Sequence, residues 1–172
     1  THQAHGIVGT RGYGISDERR LPLALLVNIL GGPSANSLLN IELREHRGLS
    51  YNVEATYTPY SDCGILGIYF SSDHCHAQEC IELIEREVEA LRHTPITPRR
   101  LSVAKRQFVA QMAISMESNE GYMLGAGKSY LLYKDIDTLE EAYKKVMSIT
   151  AEQILEVAHD SLGTLSRLIY TR

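Results

Sequence analysis

From Leu49 to Tyr57 the side chains alternate without a break: Leu49, Tyr51, Val53, Ala55 and Tyr57 fall on one side, and Ser50, Asn52, Glu54 and Thr56 on the other. A period of two marks a strand with one buried face. After a turn at Thr58-Pro59-Tyr60-Ser61-Asp62, the run from Gly64 to Phe70 is apolar on both faces, which predicts an antiparallel neighbour inside a sheet. A hairpin of this kind needs a cover. The chain supplies one between Leu21 and Leu30, where Leu23, Ala24, Leu25, Leu26, Val27, Ile29 and Leu30 leave no polar face. A helix of that composition has to be buried. Ser16 or Asp17 is placed to cap it, Pro22 fits its first turn, and Gly31-Gly32-Pro33 ends it.

The remaining periodicities extend the same plan. Gln3 to Gly14 reads as a strand, and Leu165 to Tyr170 as a short closing one. A short helix from about Ser37 to His46 carries Leu39 and Leu43 on one face; Gly48 stands where a left-handed cap belongs, and Leu49 can fold back on Leu43. Ala77 to Arg92 sets Cys80, Ile81, Ile84, Val88 and Leu91 along one stripe. Further helices open at Thr97, at Ser118-Asn119, at Thr138 and at the capping box Thr150-Ala151-Glu152-Gln153. The order predicts an α+β domain of two layers, with a mixed, mostly antiparallel sheet and helices on one face.

At 172 residues, with 44% hydrophobic and 22% charged side chains, the chain suits one globular domain, taken as 1–172. A start at Thr1 with a strand almost at once reads as a domain cut from a longer polypeptide. A net charge of −4 without a basic stripe argues against nucleic acid, and no apolar run approaches the roughly 20 residues of a membrane span. No targeting segment is recognisable, so the compartment is unknown.

Seven histidines raise the question of a metal. His74, Cys75, His76, Glu79 and Cys80 are suitable ligand types, but they cluster at a helix start with no second group of ligands, and neither His-Glu-x-x-His nor His-x-x-Glu-His occurs. No metal site is expected in this chain. Cys63, Cys75 and Cys80 read as free thiols, and there is no Gly-x-Ser-x-Gly nucleophile elbow. Arg44 and Tyr51 remain. A guanidinium offers fixed donors to a backbone carbonyl or carboxylate, and a phenol can donate to an oxyanion. The plainer alternative is a solvated Arg44 and a Tyr51 ring in the core, since Tyr51 shares the parity of Val53.

Gln3-Ala4-His5, Leu30-Gly31-Gly32, Asn36-Ser37, the Leu-Arg-Glu-x-Arg-Gly-Leu-x-Tyr run from Leu43 to Tyr51, and Tyr60-x-Asp62-x-Gly64 occur in an order that resembles the second domain of insulinase/pitrilysin-type zinc metallopeptidases, mitochondrial processing peptidases among them. Ile96-Thr97, Ala104-Lys105, Met116-Glu117-Ser118, Ile149-Thr150 and Val157-Ala158 extend the resemblance over nearly the whole chain. It implies a C-terminal domain whose zinc, with its His-x-x-Glu-His motif, belongs to a preceding N-terminal catalytic domain. It also implies a peptide substrate, a homodimer or heterodimer, and roles for Arg44 and Tyr51 in binding substrate and stabilising the tetrahedral intermediate at the opposite half's zinc. Asn36-Ser37-Leu38-Leu39 departs from the Asn-Ser-Arg-Leu of many relatives. Two rival readings stand beside this one: a scaffold or non-catalytic partner subunit of the same family, and an unrelated α+β binding module.

Overall fold

The computed structural model describes residues 3–171, and they group into two compact units. The first spans the chain up to Ile96 and again from Ala151; the second is Thr97–Thr150.

The first unit is built on four strands, β1 (Ala4–Gly12), β2 (Ser50–Pro59), β3 (Gly64–Ser72) and β4 (Ser166–Tyr170). Their order across the sheet is β2-β3-β1-β4, and every pairing is antiparallel. β3 is the interior strand that its two apolar faces demand. Helices α1 (Arg20–Gly31), α2 (Ala77–His93) and α6 (Ala151–Ser161) belong to this unit, α1 against β2, α2 against β1 and β3, and α6 against both helices. Ala4, Val8, Val53, Ala55, Leu66, Ile68 and Phe70 point from the sheet into the core, together with Leu23, Leu26 and Leu30 of α1, Ile81 and Ile84 of α2, and Ile154 and Val157 of α6. The layering is that of the α+β class. Gly6 lies opposite Phe70 in the β1–β3 register, and a Cβ there would sit 2.2 Å from the phenyl ring. The missing side chain is what lets Phe70 lie across β1.

Neither Ser16 nor Asp17 caps α1. Its N-cap is Arg19, without a side-chain cap, and Asp17 Oδ1 instead accepts the Arg19 N–H in a tight turn outside the helix. β4 is exposed along its length but is tied to α2 by an Arg167–Glu85 ion pair.

The second unit holds α3 (Pro98–Met116), α4 (Asn119–Tyr133) and α5 (Leu139–Ser148). Local capping sets each start: Thr97 accepts from Arg100 N–H, Ser118 from Gly121 N–H, and Thr138 forms a reciprocal box with Glu141. Lys105 of α3 is buried, and its ammonium donates to Met147 O near the end of α5 at 2.8 Å. Burial lowers its pKa, while the carbonyl at a helix C-terminus favours the cation. Among the described residues no helix is long and apolar enough to cross a membrane.

Candidate functional site

Arg44 lies in a segment wound more widely than an α-helix, a π-helical stretch over Asn40–His46. Leu39 and Leu43 anchor it in the core, and buried Asn40 donates to Ser37 Oγ at 2.8 Å. The segment ends as the local sequence requires. Gly48 takes φ +63°, its N–H bonds Arg44 O at 3.1 Å, and Leu49 N–H reaches back to Leu43 O at 2.9 Å. A glycine is needed there because the left-handed conformation costs other residues about 1–2 kcal/mol. Isolated π turns are uncommon and occur often at functional sites.

Glu42 fixes the segment to the rest of the unit. Its carboxylate meets Arg47 at 3.0 Å, Arg86 of α2 at 2.7 Å and His46 at 3.4 Å. Arg47 first, then His46 and Arg86, hold its pKa below the ordinary carboxylate value. Arg44 is left exposed on this braced segment, with Glu45 as its ion-pair partner at 3.4 Å.

Tyr51 does not lie where unbroken alternation predicts. Ser50 pairs with Ser72 and Asn52 with Ser71, so the β2–β3 ladder carries a bulge and Tyr51 is its extra residue. A bulge re-aims a side chain and shifts the parity of what precedes it. Ser50 takes the inward position and is buried, whereas Tyr51 is 58% exposed. The core-ring alternative for Tyr51 is thereby overturned. Ser50 holds the bulge, with its Oγ 2.7 Å from Asn52 O and 3.0 Å from Ser71 O, one hydroxyl proton serving both.

The Tyr51 hydroxyl donates to Asp73 Oδ1 at 3.0 Å. That hydrogen bond and the carboxylate's charge raise the phenol's pKa above its ordinary value. The group is a proton donor over the whole physiological range. Tyr51 and Asn52 share the face of the sheet turned away from α1, α2 and α6, and strand pairing sets out the rest of that face in rows. Asn52, Ser71, His5 and Tyr170 form one row, and Glu54, Tyr69, Ile7 and Leu168 the next. His5 Nδ1 and the Tyr69 hydroxyl are 2.8 Å apart, with the rings stacked. Arg44 and Tyr51 are thus both exposed, each with its own acidic partner. Asp73, Ser50 and Glu42 were not picked out by sequence reasoning; the one visible signal was a serine opposite the apolar face at the start of β2.

The residues near His74 do not fit zinc. Cys80 is buried, its thiol is directed to Leu49 O at 3.9 Å, and burial pushes its pKa up; His76 pairs with Glu79 at 3.7 Å. Among the described residues no three His, Cys, Asp or Glu side chains are grouped to hold a metal ion.

An α+β sheet with one helix-covered face and one open face corresponds to a known class. Residues 1–108 match the family model described as the peptidase M16 inactive domain, and the chain belongs to that family. It is 32% identical over 154 residues to the uncharacterized zinc protease YmxG of Bacillus subtilis, covering 90% of this chain and 37% of that protein. A second uncharacterized zinc protease, from Streptomyces coelicolor, is 28% identical over 163 residues, 95% of this chain and 35% of that protein. The chain therefore spans little more than a third of the length of these relatives. Among solved structures, a protease from Helicobacter pylori superimposes with a TM-score of 0.88 at 17% identity, over 100% of this chain and 42% of that one. The peptidase M16 inactive domain from Pseudomonas fluorescens gives 0.83 at 22% identity, over 98% and 41%. These two likenesses establish the fold.

Proposed function

We propose that this chain is the non-catalytic half of a zinc endopeptidase, a wall of the substrate chamber that lends Arg44 and Tyr51 to a reaction whose metal is held elsewhere. The observation that carries the reading is the bulge at Ser50/Asn52, which takes a tyrosine out of core parity and leaves it exposed and protonated on the open face of the sheet. A tyrosine serving only to fill the core would have no use for it.

In this role Tyr51 donates a hydrogen bond to the oxygen of a scissile carbonyl as negative charge develops there, exchanging Asp73 for that acceptor. Arg44, on a segment braced by Glu42, presents its guanidinium to a backbone carbonyl or carboxylate of the peptide. Both contacts need a second half to complete the site, either the N-terminal domain of the longer protein or a second subunit in a homodimer or heterodimer. The relatives' names as zinc proteases support zinc in such a protein, and the remainder of this protein is expected to carry His-x-x-Glu-His. If it lacks that motif, the scaffold reading takes over.

Tyr51→Phe in the full-length protein is the test. Removal of one oxyanion donor typically lowers kcat by about 10²–10³-fold, so a loss of that order is expected with KM for a quenched peptide little changed and the melting temperature unaltered. Unchanged kcat would show that Tyr51 takes no part.

A further inference from the structure

Asp73 is the first residue beyond β3, and the bulge in β2 brings the Tyr51 hydroxyl to it. Ser50 and Ser72 face each other at the end of the ladder, with Tyr51 pushed out between Ser50 and Asn52. Ser72 is fully buried, and its Oγ donates to Asp73 O at 3.1 Å, so the backbone on which Asp73 stands is held. Among the described residues, Asp73 is the hydrogen-bond partner of the Tyr51 hydroxyl and its one tether.

A second role open to Asp73 is left unfilled. Its backbone is that of an N-cap, extended at φ −66° and ψ 152°, ahead of the helical turn His74–His76 that runs directly into α2. Aspartate suits that position because its carboxylate accepts from the N–H two or three residues on. His76 N–H already bonds the main-chain oxygen of Asp73 at 3.0 Å, which leaves the N–H of Cys75 for the side chain. Yet Asp73 makes no side-chain cap bond; its carboxylate is turned to Tyr51 instead. A cap is stabilising, so the fold holds a second resting place for this carboxylate.

Building on the reading of Tyr51 given above, we infer that Asp73 is a positioning residue: it holds Tyr51 aimed while the site is empty and moves onto the N–H groups that open the helix when the phenol turns to the substrate. Hydrogen-bond counting requires the move. A phenol has one proton to donate. Once a developing oxyanion takes that bond, the phenol oxygen and the Asp73 carboxylate are two acceptors in contact, and they repel. The Cys75 N–H replaces the donor that the carboxylate has lost, so the exchange costs less than breaking the pair outright. Tyr51 keeps its proton throughout. Without the tether, an exposed ring spreads over three staggered χ1 wells, of which one is the aimed one.

Asp73→Ser in the full-length protein separates positioning from capping. Serine caps about as well as aspartate, but its hydroxyl stands one atom closer to the backbone and no longer meets the phenol. On a quenched peptide, kcat is expected to fall about threefold, to one well of three, with KM and the melting temperature as in wild type. Asp73→Asn keeps both the acceptor and the cap and is expected to rescue kcat. In a Tyr51→Phe background, Asp73→Ser is expected to cause no further fall. Wild-type kcat in Asp73→Ser, or an undiminished effect of Asp73→Ser when Tyr51 is Phe, overturns the positioning role. The move itself is read by hydrogen exchange at residues 74–76. A phosphinic peptide, which presents a tetrahedral oxyanion, is expected to slow exchange there in wild type and not in Asp73→Ala; equal rates with and without it in wild type overturn the move. Tyr51→Phe on the same peptide separates the two levels: a slow Tyr51→Phe beside a full-speed Asp73→Ser removes only the role of Asp73, whereas an unaffected Tyr51→Phe removes the underlying reading and Asp73 with it.

Discussion

Asp73 determines the state in which Tyr51 meets a substrate. A carboxylate beside a phenol disfavours the phenolate and raises its pKa above the ordinary 10.0. Asp73→Asn removes that charge, and the Tyr51 pKa is expected to fall back toward the ordinary value, read from the tyrosine Cζ resonance with Tyr51→Phe as the assignment control. A value that stays put would assign the shift to another cause. The sequence singles out Tyr51 but gives it the parity of the core face, because alternation counted from Leu49 runs straight through a bulge that composition does not reveal. Ser50 is the one hint: a small polar residue whose hydroxyl can serve two carbonyls where the ladder is broken. Asp73 was hidden because its partner lies 22 positions away.

The helix that carries Arg44 shows which local signals survive translation into structure. Its stop at Gly48 is legible because cap chemistry depends on neighbours only; its π winding is not, since Leu39 and Leu43 face the core in either form. Nor does the sequence reveal that Glu42 binds cations both from its own segment and from α2. Glu42→Gln is expected to destabilise the protein by about 1 kcal/mol at neutral pH, as loss of a partly buried, hydrogen-bonded ion pair would. Its pKa is depressed in the folded state relative to 4.5. The stabilisation is therefore complete above 4.5 and is lost as the pH falls through the lower folded value. Urea unfolding at a series of pH values should give a shallower acid limb for Glu42→Gln than for wild type; parallel limbs would show that Glu42 does not contribute.

At the scale of the molecule, the α+β class was readable because it follows from counting buried faces: one half-buried strand, one interior strand, one helix without a polar side. Strand order was not readable. Placement of β1 between β3 and β4 depends on pairings more than 50 residues apart, such as Gly6 with Phe70 and with Ile169, and no local pattern encodes them. The resemblance in ordered motifs is what points to a second half that carries the metal. This chain alone is expected to bind zinc no more tightly than a weak chelating dye does and to leave quenched peptides uncut. Chelator-sensitive proteolysis by the purified chain would refute the division of labour proposed here.

The β1–β4 pairing has a further consequence for how such a unit is joined to others. His5 lies opposite Tyr170, and the same row continues through Ser71 to Asn52 beside the bulge. The polypeptide thus enters and leaves the sheet at the end where Tyr51 sits, within about 14 Å across four strands. Whatever is fused before β1 or after β4 is tethered beside that residue. A short covalent link there raises the effective concentration of the joined partner to millimolar levels, so connectivity can hold two halves of a site together where their contact alone would be weak.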